Sequence, residues 1–119
     1  MKTEYFDLKN KRALVSGGAS GIGSSIVEHL CEQGVEVYFF DINKNEAKKT
    51  INKIKKKKFK TPSFVECNIK NIKKYKSSIL NIIKKQGPID ILVNNASNDQ
   101  RHSLEKITEK YWDDRMAIN

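Results

Sequence analysis

One glycine-rich stretch decides the fold: Ser16-Gly17-Gly18-Ala19-Ser20-Gly21-Ile22-Gly23. It follows the apolar run Arg12–Ser16, which has the length and composition of a buried strand, and it leads into a segment with apolar residues at helical spacing. Glycine permits backbone angles that other residues resist, and it lets a ligand approach the main chain closely. A helix beginning near Gly21 points free N–H groups and its positive dipole end at that ligand, which favours phosphate. The stretch therefore predicts a phosphate-binding loop between a strand and a helix.

Apolar runs of strand length alternate with segments of helical periodicity along the whole chain. We predict buried strands at Arg12–Ser16, Val35–Phe40, Ser63–Cys67 and Ile89–Val93. Strands and helices in this rhythm form a parallel sheet with right-handed crossovers, for which the Rossmann order is 3-2-1-4. The sequence thus predicts a three-layer α/β fold of Rossmann type, truncated after the fourth strand and the helix that follows it. Residues 1–119 are expected to form a single nucleotide-binding domain, incomplete at its C-terminus.

Four helices are predicted from their caps and from the spacing of their apolar residues. The first ends at Gly34, the second is capped by Asn43 with Glu46 in a capping box, the third ends at Gly87, and the last begins after Thr108. The side chains expected to face the sheet are Ile22, Ile26, Val27 and Leu30 in the first helix, Ala47, Ile51 and Ile54 in the second, and Ile72, Tyr75, Ile79 and Ile82 or Ile83 in the third.

An acidic residue follows the glycine loop at the distance that a dinucleotide site requires. Asp41 closes the second strand, 18 residues after Gly23, where a carboxylate accepts hydrogen bonds from the adenosine ribose hydroxyls. A carboxylate there repels a 2′-phosphate, and no arginine stands nearby in the sequence to neutralise one. The pattern favours NAD over NADP as the cofactor. The alternative is that Asp41 merely caps the helix that follows it.

The chain is strongly basic, with a formal net charge of +9. Almost all of the excess is lysine, since the sequence has only three arginines, whereas specific nucleic-acid binders usually depend on arginine. We interpret the charge as a solvated basic face and expect no nucleic-acid partner. No apolar stretch approaches the roughly 20 residues of a membrane span, so we expect no membrane association and a cytoplasmic protein. Cys31 and Cys67 are too few and too far apart for a disulfide framework or a metal site, and we expect both to be reduced and buried.

The motifs Ser16-Gly17-x-x-x-Gly21-x-Gly23 and Asn94-Asn95-Ala96-Ser97 resemble the short-chain dehydrogenase/reductase family, whose corresponding motifs are TGxxxGxG and NNAG. Ser16 replaces the usual threonine and Ser97 the usual glycine. Asn68 stands where the family has an aspartate that contacts adenine, and Asn119 matches a conserved asparagine of the family's catalytic set. The resemblance implies that NAD is contacted by Gly17, Ser20, Gly21, Ile22, Gly23, Asp41, Ile42, Asn68, Ile69, Asn95 and Ala96.

A narrower resemblance concerns the residues that follow the NNA motif. The patterns Asn98-Asp99-x-Arg101-His102 and Tyr111-Trp112-Asp113-x-Arg115 are similar to those of bacterial NAD-dependent sugar 1-dehydrogenases, of which D-xylose 1-dehydrogenase is the nearest type. Those enzymes oxidise the anomeric hydroxyl of an aldose to a lactone. The resemblance implies a small-molecule substrate, an aldose, with Asp99 and His102 lining its pocket; the alternative is a polar surface loop.

Most of the family's catalytic residues are not among these 119 residues. The family uses a serine and a Tyr-x-x-x-Lys pair on a later helix; here Tyr5-Phe6-Asp7-Leu8-Lys9 has that spacing but precedes the first strand. Only Asn119 of the set is present. We therefore expect a cofactor-binding half that is inactive alone and that self-associates or needs a complementing C-terminal half. Two alternatives stay open, a non-catalytic NAD-binding module and a basic interaction protein.

Overall fold

A four-stranded parallel sheet forms the centre of the molecule. The computed structural model describes residues 8–95; the predictions at Ala96, Asp99, His102 and Asn119, and the helix after Thr108, lie outside the described residues. The strands are β1 (Arg12–Ser16), β2 (Glu36–Asp41), β3 (Ser63–Glu66) and β4 (Ile91–Asn94), and they are arranged in the order β3-β2-β1-β4. All three strand pairings are parallel. The predicted Rossmann-type α/β fold and its strand order are confirmed.

Three helices cover the two faces of the sheet: α1 (Gly21–Glu32), α2 (Lys44–Lys56) and α3 (Ile72–Gln86). On one face, α1 and α2 pack through Val27, Cys31, Ala47 and Ile54. On the other face, α3 packs through Tyr75, Ile79, Ile82 and Ile83. Right-handed crossovers require this division, because α1 and α2 move the chain towards β3 whereas α3 returns it past β1 to β4.

The position of β1 in the sheet explains why its apolar residues do not alternate with polar ones. Ala13 and Val15 belong to the cluster under α1 and α2, and Leu14 belongs to the cluster under α3. Because both faces of the strand are covered, positions 13 to 16 are all buried, and the three residues 13 to 15 are apolar without alternation. The switch point between β1 and β4, where the chain changes direction in the sheet, is where open α/β sheets bind ligands beyond the strands' carboxyl ends.

Two predicted helix contacts are wrong. Ile22 is 74% exposed and Ile72 is 38% exposed, and each lies in the first turn of its helix. In α1 the buried residue of that turn is Gly23, and a side chain one residue earlier points about 100° away around the helix axis. The first turn thus approaches the loop through a glycine, and the apolar contact with the sheet begins further along at Val27.

The strand boundaries also differ by one or two residues from the sequence-based expectation. β2 runs from Glu36 to Asp41 rather than from Val35, β3 ends at Glu66 rather than Cys67, and β4 begins at Ile91 rather than Ile89. Val35, Cys67 and Ile89 are all buried nonetheless. Apolar character reports burial, and a buried residue does not need to pair with a neighbouring strand.

The capping of α2 is half of what the sequence predicted. The Asn43 side chain accepts a hydrogen bond from Glu46 N at 3.0 Å, so the N-cap is confirmed. The backbone N–H of Asn43, however, donates to the Asp41 carboxylate at 3.0 Å and not to Glu46. Asp41 has thus taken the second role of the capping box.

Further expectations concern cysteines, membranes and metals. Cys31 and Cys67 are buried free thiols, as predicted. Within residues 8–95, no helix combines the length and the apolar character that crossing a bilayer demands. Over the same residues, no three His, Cys, Asp or Glu side chains are grouped as they would be around a metal ion.

Candidate nucleotide-binding site

The glycine loop begins at the carboxyl end of β1, and its backbone adopts angles that favour glycine. Gly17 and Gly21 have positive φ angles of 71° and 59°. Gly17 N donates to Phe40 O of β2 at 2.7 Å, so the first residue of the loop is still tied to the sheet. The α1 N-cap, Ser20, makes no side-chain capping bond. The backbone N–H groups of the first turn are therefore left to a ligand or to solvent.

The other two glycines of the loop are required by close packing. A Cβ atom at Gly23 would lie 1.8 Å from Gly17 O, and one at Gly18 would lie 2.6 Å from Phe39 Cβ. At Gly21, by contrast, a Cβ atom would meet nothing within 4 Å. Gly18 and Gly23 let the loop lie against β2 and α1, whereas Gly21 faces open space. The side of the loop at Gly21 is therefore open to a ligand or to solvent.

Asp41 links the loop to the turn after β2. One carboxylate oxygen, Oδ2, accepts from Ala19 N at 3.1 Å, and the other, Oδ1, accepts from Asn43 N at 3.0 Å. A carboxylate offers about four acceptor sites, so two such bonds leave capacity for ribose hydroxyls. Asn43, and not Asp41, is the N-cap residue of α2. The bond from Ala19 N shows that Asp41 also holds the glycine loop.

A cleft of about 220 Å³ opens beside Asp41 at the carboxyl ends of β1, β2 and β3. Ile42, 65% exposed, lies at this cleft together with Asn68 and Ile69. Five of the residues predicted from the sequence thus line one cavity, and the structure adds three that the sequence did not indicate. The full lining is Gly17, Phe40, Asp41, Ile42, Cys67, Asn68, Ile69 and Lys70.

The asparagine pair at the end of β4 is hydrogen-bonded to the start of the glycine loop. Ser16 Oγ donates to Asn94 Oδ1 at 2.9 Å and accepts from Asn95 N at 3.1 Å. Asn95 Nδ2 donates to Gly17 O at 3.0 Å, which fixes the first carbonyl of the loop. The serine that replaces the usual threonine at position 16 keeps the hydroxyl that both bonds require.

Two buried ionisable groups stand close to this site, and both are held in their neutral forms. Burial raises the pKa of the Cys67 thiol, and burial raises the pKa of the Tyr75 phenol above its ordinary value. Tyr75 also packs its ring edge-on against Phe40 at 5.1 Å. Neither group supplies a nucleophile, because the thiolate and the phenolate are disfavoured by desolvation. The chemistry that the described residues support is binding.

Sequence reasoning missed the polar contacts beneath the loop. Thr50, on α2, donates its hydroxyl hydrogen to Ala19 O at 2.7 Å. Its position among the inward residues of α2 was the available signal, because a threonine between Ala47 and Ile54 on a buried face needs a hydrogen-bond partner.

Comparisons with known proteins agree with this geometry. The family model for short chain dehydrogenase matches residues 11–119. A probable galactose dehydrogenase from Rhizobium meliloti is 32% identical over 98% of this chain and 46% of its own length. D-xylose 1-dehydrogenase from Caulobacter vibrioides is 36% identical over 97% of this chain and 44% of its own length. The chain therefore spans less than half the length of these curated relatives.

A solved structure gives the same result. Hydroxysteroid dehydrogenase from Escherichia coli superposes with a TM-score of 0.67 and 30% identity, covering 76% of this chain and 38% of that one. Gly17 of the glycine loop and Asp41 of β2 line one cleft, Asn95 is hydrogen-bonded to Gly17, and the family model extends over nearly all of the sequence. The chain belongs to the short-chain dehydrogenase family.

Proposed function

We propose that residues 8–95 bind the adenosine and pyrophosphate part of NAD(H), and that the protein is an NAD-dependent oxidoreductase of the short-chain type. The observation that carries the proposal is the convergence of Gly17, Asp41 and Asn68 on one cleft at the carboxyl edge of the sheet. These residues come from the ends of three different strands. Their chemistry suits a ligand that combines a phosphate, a ribose and a base.

Each part of the cofactor has a place that suits its chemistry. The pyrophosphate fits at the open side of Gly21, where the first turn of α1 presents backbone N–H groups and a positive dipole end. The adenosine ribose fits at the Asp41 carboxylate. The adenine fits in the cleft, with apolar contacts from Ile42 and Ile69 and hydrogen-bonding groups from Asn68.

The charges around the loop favour NAD over NADP. The Asp41 carboxylate would lie beside a 2′-phosphate, and like charges at such distances repel. The loop residues 16–23 contain no lysine or arginine to neutralise that phosphate. Lys70 lines the cleft on the side proposed for adenine. Its positive charge is therefore outside the glycine loop.

For the substrate we propose an aldose. The support is the similarity to the two sugar dehydrogenases, together with the resemblance of the sequence around Asp99 and His102 to sugar 1-dehydrogenases. Bound nicotinamide accepts or donates the hydride; Asn119 would support proton transfer, and Asp99 and His102 would line the sugar pocket. We propose a cytoplasmic protein, in keeping with its free thiols, that works as a homo-oligomer or with a complementing C-terminal half.

We expect the 119-residue chain to bind cofactor without transferring hydride by itself. Its one Tyr-x-x-x-Lys pattern, Tyr5 to Lys9, comes before β1 in the sequence, and the family's catalytic pair follows the fifth strand. The same observation favours a second candidate, a non-catalytic NAD-binding module. Absorbance at 340 nm with NAD and D-xylose or D-galactose tests the expectation, and NADH formation would contradict it.

Titration calorimetry with NAD and with NADP tests the proposal, using Asp41→Ala and the matched control Asp90→Ala. Asp90 also accepts a backbone hydrogen bond, from Arg12 N at 2.9 Å, but it lies at the opposite end of the sheet. A charged hydrogen bond contributes about 1.5–3 kcal/mol, so we expect Asp41→Ala to weaken NAD binding at least about tenfold and to narrow the preference over NADP.

The control fixes the interpretation. Asp90→Ala should bind NAD as the unsubstituted chain does. Equal loss in both variants would mean that the carboxylates act only through general stability. A folded, unsubstituted chain that binds neither nucleotide would overturn the proposal.

A further inference from the structure

A short chain of hydroxyl groups lies beneath the glycine loop. Thr50 is the buried polar residue of α2 among the described residues, with 4% of its surface exposed. Its Oγ1 donates to Ala19 O at 2.7 Å and lies 3.0 Å from Ser24 Oγ of α1. Since the single Thr50 hydroxyl hydrogen goes to Ala19 O, Ser24 has to be the donor in the contact between the two hydroxyls. The order is therefore Ser24 to Thr50 to Ala19.

Both backbone polar groups of Ala19 are thus held by side chains. Its N–H donates to Asp41 Oδ2 at 3.1 Å, and its C=O accepts from Thr50. Ala19 itself is 1% exposed and lies midway between Gly17 and Gly21. The middle of the loop is fixed from β2 on one side and from α2 on the other.

The planarity of the peptide bond gives the Thr50 contact a further consequence. In a trans peptide the C=O of one residue and the N–H of the next point in opposite directions. The Ala19 carbonyl points inward at Thr50, so the N–H of Ser20 has to point outward. Ser20 and Gly21 are exposed, and the space around Gly21 is open.

We propose that Thr50 is a positioning residue for cofactor binding: by holding the Ala19 carbonyl, it aims the Ser20 N–H at an anionic oxygen of the pyrophosphate. This inference rests on the proposed NAD site. It assigns to α2, which does not line the adenine cleft, a direct part in shaping the phosphate loop. The hydroxyl acts through the peptide group and does not contact the cofactor.

The test compares Thr50→Val with Thr50→Ser and Ile54→Val in the full 119-residue chain. Valine keeps the shape of threonine but removes the hydroxyl, serine keeps the hydroxyl, and Ile54→Val removes one methyl group from the same buried face of α2 without touching the loop. Loss of one hydrogen bond corresponds to roughly a three- to tenfold weaker Kd for NAD in Thr50→Val. Thr50→Ser and Ile54→Val should stay within about twofold of the unsubstituted chain.

Two amide signals report on the loop itself, and Ile54→Val accounts for the part of an exchange rate that follows general stability. In the unsubstituted chain, the Ser20 amide proton resonance should shift downfield when NAD is added. In the ligand-free proteins, the Ala19 amide should exchange with solvent faster in Thr50→Val than in Thr50→Ser or Ile54→Val. If Thr50→Val does not fold, an unmoved Ser20 amide still overturns the inference, as does a Thr50→Ser variant that binds NAD much more weakly than Ile54→Val.

The outcomes separate this inference from the proposed function. No NAD binding by the unsubstituted chain overturns the proposed function, and Ala19 exchange then still shows whether Thr50 holds the loop. Normal NAD binding with an unmoved Ser20 amide, or with Thr50→Val equal to Ile54→Val in both Kd and exchange, overturns the role of Thr50 alone.

Discussion

The four glycines of the loop are required for different reasons, although they look alike in the sequence. Gly23 brings the first turn of α1 so close to the Gly17 carbonyl that a Cβ atom has no room. Gly21 has open space around it, but its φ is 59°, a backbone angle that residues other than glycine rarely adopt. The first restriction is a collision with backbone, and the second is conformational strain.

We therefore expect Gly23→Ala to be much more damaging than Gly21→Ala. Strain in the left-handed region costs roughly 1–2 kcal/mol, so Gly21→Ala should fold with reduced stability. Gly23→Ala has to move Gly17 or α1, and we expect it to lose at least about 3 kcal/mol and to lose NAD binding. Urea denaturation followed by circular dichroism measures both. Equal losses would show that space at Gly23 does not limit the loop.

At the level of single residues, the sequence predicted which side chains meet but not all that they do. The positions of Asp41 and Asn68 in the sequence predict cofactor contacts, and both residues line the cleft. The bonds from Asp41 to Ala19 and Asn43 were not foreseen, because they depend on how two loops lie beside each other after folding. Ile22 was misplaced, because periodicity cannot tell that a neighbouring glycine takes the buried position.

Between elements, helices α1 and α2 are joined by an ion cluster around Glu28. Lys57, the C-cap residue of α2, and Lys53 of α2 lie 2.9 and 3.3 Å from its two oxygens, and the Glu28 side chain is only 17% exposed. The hydrogen bond from Lys57 lowers the pKa of Glu28, opposed by desolvation and aided by Lys53. The cluster stabilises the packing of the two helices that carry Ser24 and Thr50.

Stability should therefore depend on pH through Glu28. A carboxyl group whose pKa is lower in the folded state stabilises the fold above its unfolded pKa, and the contribution is lost as pH falls through the folded value. We expect Glu28→Gln to cost about 1 kcal/mol at pH 7, because the lysines are largely solvated, and the difference from the unsubstituted chain to shrink below the ordinary pKa of 4.5. Urea denaturation at about pH 7, 5 and 3.5 measures the free energy of unfolding on both sides of this titration.

Glu32→Gln is the matched control, because Glu32 lies on the same helix and no ion pair to it is recorded in the described part of the chain. Its effect should not follow the same pH dependence. A Glu28→Gln difference that is unchanged between pH 7 and 3.5 would show that the side chain acts by packing alone.

Element type was predictable throughout residues 8–95, whereas element boundaries were not. Caps and stops such as Asn43 and Gly34 have local physical causes, namely a side-chain hydrogen bond and a φ of 82°. The ends of β2 and β4 depend on pairing with β1, which is distant in sequence. Ile89 illustrates this, since it is buried in the core but precedes the paired residues of β4.

For the molecule as a whole, the sheet separates two hydrophobic cores, and each core contains one cysteine. Cys31 lies in the cluster under α1 and α2, and Cys67 lies in the cluster under α3. Burial raises the pKa of Cys31 to about 12 and raises that of Cys67 as well. Reaction with a thiol reagent requires both access and ionisation, so each thiol reports on the opening of its own face.

We expect neither thiol to react with Ellman's reagent at pH 8 in the folded protein, and both to react over the same urea range in which circular dichroism changes. A single sheet shared by both cores should unfold in one cooperative transition. Mass spectrometry of labelled peptides assigns the sites. Labelling of one cysteine at lower urea would show that its face opens independently.

The bond from Asn95 Nδ2 to Gly17 O joins residues that are 78 positions apart in the chain. During translation, Gly17 leaves the ribosome long before Asn95 has been polymerised. Growing chains that already contain the glycine loop, Asp41 and Asn68 still lack the contact that fixes the loop's first carbonyl. The nucleotide binding that we propose is thereby coupled to strand β4, and a nascent polypeptide would acquire it only when β4 has docked beside β1.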